Sequence, residues 1–228
     1  NRISVNYNLL KIGNESTIYV VKKIKRYLQK FDGKKINNLK EFIEFKNVHF
    51  NYAKKEIFNN LNIKFFNKKS YLIFGESGSG KSSLVDLIIG YSKINSGKIL
   101  IDDQEMREHN SSWLEKISYV PQTSIIFEGS LRFNITFKKD DEPIDESLFS
   151  EILKITKLDN FVNGLKLKEF SLIEEFGSNI SGGQKQRVSL ARALYKCCNI
   201  IILDEATNAI DKETELEILR EIINKKNK

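Results

Sequence analysis

Long apolar runs are missing from this chain. No stretch approaches the ~18 consecutive apolar residues of a membrane-spanning helix. A secretory leader is missing too, because the first residues carry no compact apolar core behind a basic start. Cysteine is scarce. Cys197 and Cys198 stand side by side, which excludes C-x-x-C metal spacing and a disulfide framework. They read as two small thiols near a helix end, in a reducing compartment. There is no internal repeat, and no low-complexity segment beyond a Lys/Asn bias. The chain opens on Asn rather than Met, so a fragment of something longer is expected.

What is present is a chain able to build a sizeable core. Its 228 residues are 40% hydrophobic and 29% charged, which suits one domain or one domain with an appendage. A net charge of +7 is compatible with nucleic acid, an anionic membrane face or nucleotide, but the lysines are scattered rather than blocked.

Residues 15 to 31 have a helical period, with Ile18, Val21, Ile24, Leu28 and Phe31 on one face. Asp32-Gly33 breaks it, and the Lys-rich "GKKINNLKE" reads as a linker. From Phe42 the period changes to alternation. "EFIEFKNVHFNY" and "IFNNLNIKFF" predict strands, as an antiparallel pair. "SYLIFG" predicts a buried core strand, and "GKILIDD", "KISYVPQ" and "NIIILDEA" predict further strands. Helices are expected at 81 to 90, through 124 to 165, after Ser181 and in "ETELEILREIINKK". The expected class is α/β: a mostly parallel core sheet, an antiparallel β subdomain, an inserted helical subdomain over 124 to 195 and an N-terminal helical tail.

"GESGSGKSS", residues 75 to 83, fits G-x-x-x-x-G-K-[ST] between a strand and a helix, the context of a phosphate loop. Gly75, Gly78 and Gly80 let the backbone turn tightly, while Glu76, Ser77 and Ser79 fill the loop between them. The helix N-terminus behind them favours anions. Lys81 would reach the β- and γ-phosphates of a nucleotide. The Ser82 hydroxyl would ligate Mg²⁺, with Ser83 next to it. At the end of "IIILDE", Asp204 can hold Mg²⁺ through water and Glu205 can act as general base, or both can simply cap the following turn. Gln122 in "VPQ" is either a contact to Mg²⁺ or the lytic water, or an ordinary loop residue. Tyr52 either stacks on an adenine or belongs to the core or surface.

Ser181, Gly182, Gly183 and Gln184 open a helix and form a second potential anion site. A helical lobe separates them in sequence from Lys81. A phosphate gripped by both loops would then be shared between two chains arranged head to tail.

The ordered set "GESGSGKSS", "VPQ", "ISGGQKQR", "IIILDEAT" and "NAID" resembles the nucleotide-binding domain of ATP-binding cassette transporters over about residues 42 to 224. That resemblance implies ATP and Mg²⁺ as ligands, with Glu205, Gln122 and Lys81 as catalytic residues. It implies Ser82, Gln122 and Asp204 at the metal, and a second nucleotide-binding domain as partner. By the same resemblance Tyr52 matches the adenine-stacking aromatic, Gln122 the loop linking hydrolysis to the membrane domain, and Asn208 to Asp211 the loop at the dimer interface. Glu175, in "EEFGSNISGGQ", matches an exporter glutamate that meets the coupling helix of the membrane domain. The exporter form implies that residues 1 to 40 are the cytosolic end of that domain and 41 to 228 the cassette, at the cytoplasmic face of a membrane. "NRISVNYNLLKIG" is similar to exporters of the lipid-linked oligosaccharide flippase kind. Two departures stand out. The switch histidine of the family would follow Lys228 on a further strand, and neither His49 nor His109 replaces it. "TNAID" stands for the commoner "TSALD", and Glu174 where glycine is usual. Two other functions compete: a cassette ATPase of DNA maintenance or translation, disfavoured by the short spacing between the phosphate loop and "SGGQ", which the resemblance makes the family signature, and a non-hydrolysing regulatory module, disfavoured by Glu205. No nucleic acid partner is expected.

Overall fold

A computed structural model describes residue 36 and residues 38 to 53, 55 to 106 and 110 to 226. The helix expected at 15 to 31 and His109 lie outside the described residues.

Alternation in the sequence becomes an antiparallel sheet. Strand β1 (Phe42–Tyr52) pairs with β2 (Lys55–Phe66) on one side and β3 (Ser96–Ile101) on the other, and β3 pairs with the short β4 (Gln104–Glu105). Ile43, Phe45, Val48 and Phe50 are buried along β1, with a register shift between Phe45 and Val48 that keeps all four on the core side. Ile36 and Leu39, in the stretch read as linker, are buried in the same core.

Asp102 ties this layer together. Its residue takes a left-handed conformation (φ 53°) at the β3–β4 turn, which an Asp tolerates better than most side chains. Its carboxylate accepts the backbone N–H groups of Lys40, Glu41 and Phe42 at 3.0, 2.8 and 2.9 Å.

Helix α1 (Lys81–Ile89) packs on the sheet through Leu84, Val85, Leu87, Ile88 and Ile89, and ends at Gly90, whose φ of 86° closes the helix as only glycine does cheaply. Trp113, in the single-turn α2 (Ser111–Leu114), is fully buried beneath it and donates its indole N–H to Ile88 O at 2.8 Å.

A second core lies in the helical lobe. It is built by α3 (Leu131–Thr136), α4 (Glu146–Ile155), α5 (Asp159–Asn163), α6 (Gly182–Tyr195) and α7 (Lys212–Lys226). Two short strands, β6 (Gly129–Ser130) and β7 (Leu172–Ile173), pair across the lobe. The predicted inserted helical subdomain is present.

Between the two cores runs a parallel pair, β5 (Ile117–Val120) and β8 (Ile200–Leu203). Its period-2 alternation divides it. Ile117, Ile200 and Ile202 pack with the antiparallel core, whereas Val120, Ile201 and Leu203 pack with the helical one.

Two strand expectations are corrected. The described sheets are not mostly parallel, since this pair is their only parallel element. "SYLIFG" is not a strand, and Leu72 and Phe74 are each 85% exposed. The reason lies at Tyr71. Its hydroxyl accepts the Phe66 N–H at 2.7 Å and its ring packs edge-on against Phe65 at 5.1 Å, so the segment is held at the end of β2 rather than beside β8. With β5 as its one paired neighbour, β8 is half-buried rather than enclosed.

Candidate functional site

The phosphate-loop sequence folds as a turn feeding α1. Ser79 N–H bonds Glu76 O at 3.2 Å, and Gly78 and Gly80 take φ of 81° and 96°. Gly80 is constrained twice, because a Cβ there would lie 2.8 Å from Ile57 Cγ2 and 3.0 Å from the Phe58 ring. This contact sets the loop against β2. The α1 N-terminus has no side-chain cap and no acidic residue in its first turn, so no side chain of that turn offsets its leading amides and partial positive charge. Lys81 folds back over the loop, donating from Nζ to Gly75 O and Glu76 O, each at 2.8 Å.

Asp204 and Glu205 follow β8. The ladder continues one step past the strand, with Asp204 N–H on Val120 O at 3.0 Å. By alternation Asp204 shares the face of Ile200 and Ile202, which packs on the core that contains α1. Asp86 of α1 registers this proximity: its carboxyl is pushed up by burial and by the negative charge of Asp204. Tyr119, on the same face of β5, donates its hydroxyl to Asp204 Oδ2 at 2.8 Å. Burial first, then Asp204, raises its phenol to about 12.

Glu205 takes a left-handed conformation (φ 48°), unusual for a glutamate, which turns it out of the strand alternation. Gln122, just beyond β5, donates from Nε2 to its Oε2 at 2.6 Å, and Asn208 donates to the same oxygen at 3.1 Å. The parallel pairing of β5 with β8 brings Gln122 and Glu205 together from far apart in sequence. Among the described residues no cluster of three His, Cys, Asp or Glu could hold a metal. The predicted donors, Ser82, Asp204 and Gln122, offer a hydroxyl, a carboxylate and an amide oxygen, a hard-oxygen set of the kind Mg²⁺ takes alongside phosphate and water.

The other predicted residues are placed as follows. Tyr52 ends β1 and is 68% exposed, so it is not a core residue. It stands across the hairpin from Lys55, at the end of the β1–β2 ladder. Ser181 caps α6: its Oγ accepts Gln184 N–H at 3.2 Å while Gln184 Oε1 accepts Ser181 N–H at 2.8 Å, a reciprocal capping box. The Ser181 hydroxyl proton and the first amides of α6, those of Gly182 and Gly183, remain as donors. A Cβ on Gly183 would lie 2.9 Å from Ala209 O, and Gln186 Oε1 accepts Ala209 N–H at 2.7 Å. The "SGGQ" turn and the "NAID" loop thus pack on each other within one chain. Glu175 is exposed in a 3₁₀ turn, followed by Phe176, 76% exposed at φ 54°.

Three contributors escaped the sequence reading. Tyr119 lies one residue outside the "VPQ" motif. Asn208 belongs to the loop that the resemblance assigns to the dimer interface, and nothing in its spacing ties it to Glu205. Arg192 of α6 donates to Asn134 O at 2.7 Å and Ile125 O at 2.8 Å, with Phe137 stacked at 4.7 Å. Burial pulls its guanidinium down to about 10. It joins the signature helix to the segment after Gln122.

The family model for the ABC transporter matches residues 58–208. A putative export ATP-binding/permease protein of Rickettsia bellii (strain RML369-C) is 39% identical over 195 residues, covering 84% of this chain and 33% of that protein. ABC transporter B family member 21 of Arabidopsis thaliana is 35% identical over 190 residues, covering 80% of this chain and 14% of that protein. The chain therefore spans about a third or less of the length of these relatives. A solved structure of a bacterial Atm1-family ABC exporter with ATP bound superposes with a TM-score of 0.77 at 27% identity, over 92% of this chain and 38% of that one.

Proposed function

The chain belongs to the ABC transporter family, and from that premise we propose that its cassette binds and hydrolyses MgATP at sites completed by a second cassette, powering export through a membrane domain. Residues 41 to 228 form the cassette, and residues 1 to 40 are the cytosolic end of that membrane domain. Among the described residues no helix is long and apolar enough to cross a membrane. The names of the export ATP-binding/permease relatives support the exporter reading.

The observation that supports this chemistry is the pair of hydrogen bonds that fix the two carboxylates after β8, from Tyr119 to Asp204 at 2.8 Å and from Gln122 to Glu205 at 2.6 Å. On this reading the phosphate loop before α1 and the acidic pair after β8 make up one site. The loop amides and Lys81 bind and orient the nucleotide phosphates. Tyr52 offers a stacking face to the adenine. Ser82, Asp204 and the Gln122 amide oxygen would hold Mg²⁺, which when bound would neutralise charge on the β- and γ-phosphates. Glu205 takes the proton of the attacking water, and Gln122 fixes the carboxylate that does so. The Ser181 hydroxyl and the Gly182 and Gly183 amides stabilise the γ-phosphate held by the partner's phosphate loop. Glu175, exposed beside Phe176, contacts the coupling helix.

The shared site has a direct test. Lys81→Ala and Ser181→Arg chains, each inactive alone, are mixed and their ATP turnover measured. A mixed dimer has one composite site with both defects and one with neither, so turnover should return. A mixture as inactive as its components would contradict the shared site.

A further inference from the structure

We propose that Tyr119 is a positioning residue for Asp204: its hydroxyl holds one carboxylate oxygen, which selects the rotamer in which the other is offered to the cation of the bound nucleotide. The proposal rests on the reading of Asp204 as a residue of the Mg²⁺ site.

Three observations carry it. The sheet places the two side chains on one face, since Tyr119 registers with Ile202 and the ladder continues past the end of β8 to Asp204, two residues beyond. A tyrosine spans that diagonal, and the O–H to carboxylate distance is 2.8 Å. Tyr119 is 38% exposed, so filling the core does not account for an aromatic at this position. The neighbours on its face, Ile117, Ile200 and Ile202, supply the apolar packing instead.

The physical consequence is preorganisation. A carboxylate has about four lone-pair sites, and a charge-assisted O–H donor takes one of them. A short side chain held this way loses less freedom when it meets a cation. Removing such an outer partner typically costs ~10–100-fold in metal affinity.

The test measures ATP affinity with and without Mg²⁺, in the full chain carrying Glu205→Gln to prevent turnover. Tyr119→Phe keeps the ring and removes the hydroxyl. It should lose about 10-fold of the Mg²⁺-dependent gain in affinity, with metal-free ATP affinity and thermal midpoint unchanged. Asp204→Asn should lose the gain too, and the double variant should be no worse than Asp204→Asn alone. If Tyr119→Phe keeps the whole gain while Asp204→Asn loses it, the role of Tyr119 falls and that of Asp204 stands. If Asp204→Asn keeps the gain, the reading beneath both falls. If Tyr119→Phe lowers metal-free affinity and thermal midpoint together, the hydroxyl is structural and the proposal is overturned.

Discussion

Gln122 donates its side-chain amide to Glu205 Oε2 at 2.6 Å. The donor leads out of β5 and the acceptor out of β8, so the parallel pairing of these strands aligns the carboxylate proposed as the base. Asn208 reaches the same oxygen from the loop that also packs on Gly183. The base is therefore tied both to the segment before the helical lobe and to the turn that opens the signature helix.

Glu205→Gln should retain ATP binding and lose hydrolysis by at least ~10²-fold, the scale of a general base. Nucleotide affinity and steady-state turnover measured on the same preparation check this. Full turnover would remove Glu205 from the role.

Gln122→Ala leaves the Glu205 carboxylate with Asn208 as its remaining side-chain donor. Loss of alignment without loss of the base should lower kcat by roughly 10–100-fold. KM for ATP should stay within about threefold, because the phosphate loop is untouched. A kinetic series over ATP concentration separates the two parameters.

Gly183→Ala forces a methyl to 2.9 Å from Ala209 O, a backbone atom that cannot step aside alone. The strain should cost ~1–3 kcal/mol, the usual range for overpacking, and displace the "NAID" loop. Thermal unfolding should show a lowered midpoint. Gly182→Ala meets the Ala209 side chain at an ordinary 3.5 Å and should be much milder.

Arg192→Met keeps much of the apolar stem but removes the donors to Asn134 O and Ile125 O. Ile125 O can turn to water, but leaving the carbonyl of the buried Asn134 unpaired costs ~1–3 kcal/mol. Chemical denaturation should report that loss. Lysine should restore only part of it, since one ammonium cannot reproduce the planar fork of the guanidinium.

Asp102→Asn tests a pH dependence. Burial pushes the Asp102 carboxyl up, but the three backbone N–H bonds outweigh it and the net shift is downward. A carboxyl lowered on folding contributes stability that is present above its unfolded value, ~3.9, and lost as pH falls through the folded value. The variant should therefore be less stable than the parent at neutral pH, with the gap closing below about pH 4. Denaturation midpoints at pH 7 and at acid pH check the sign.

Much of the antiparallel layer could be read from alternation, because one buried face imposes a period of two on Ile43 and Phe45 and, past the register shift, on Val48 and Phe50. The helical lobe was legible for a similar reason in Phe149, Ile152, Leu153 and Ile155. "SYLIFG" was not. An apolar run states that a segment could be buried, while its neighbours decide whether it is, and Tyr71 anchors this one to Phe65 and Phe66.

The sequence by itself determined the local devices, whose partners are a few residues apart: the glycine turn that opens α1 at Lys81, the Ser181–Gln184 capping box, and the carboxylates ending an apolar strand. Those depend on backbone conformation and short-range hydrogen bonds, which spacing encodes. Only the tertiary structure decided that Gln122 and Asn208 converge on one oxygen of Glu205, that Tyr119 meets Asp204, and that Gly183 has no room for a methyl. Each of these contacts is made where β5 lies beside β8 or α6 abuts the loop after it. A side chain there is chosen by a neighbour that folding brings to it, and that neighbour leaves no period or spacing in the chain.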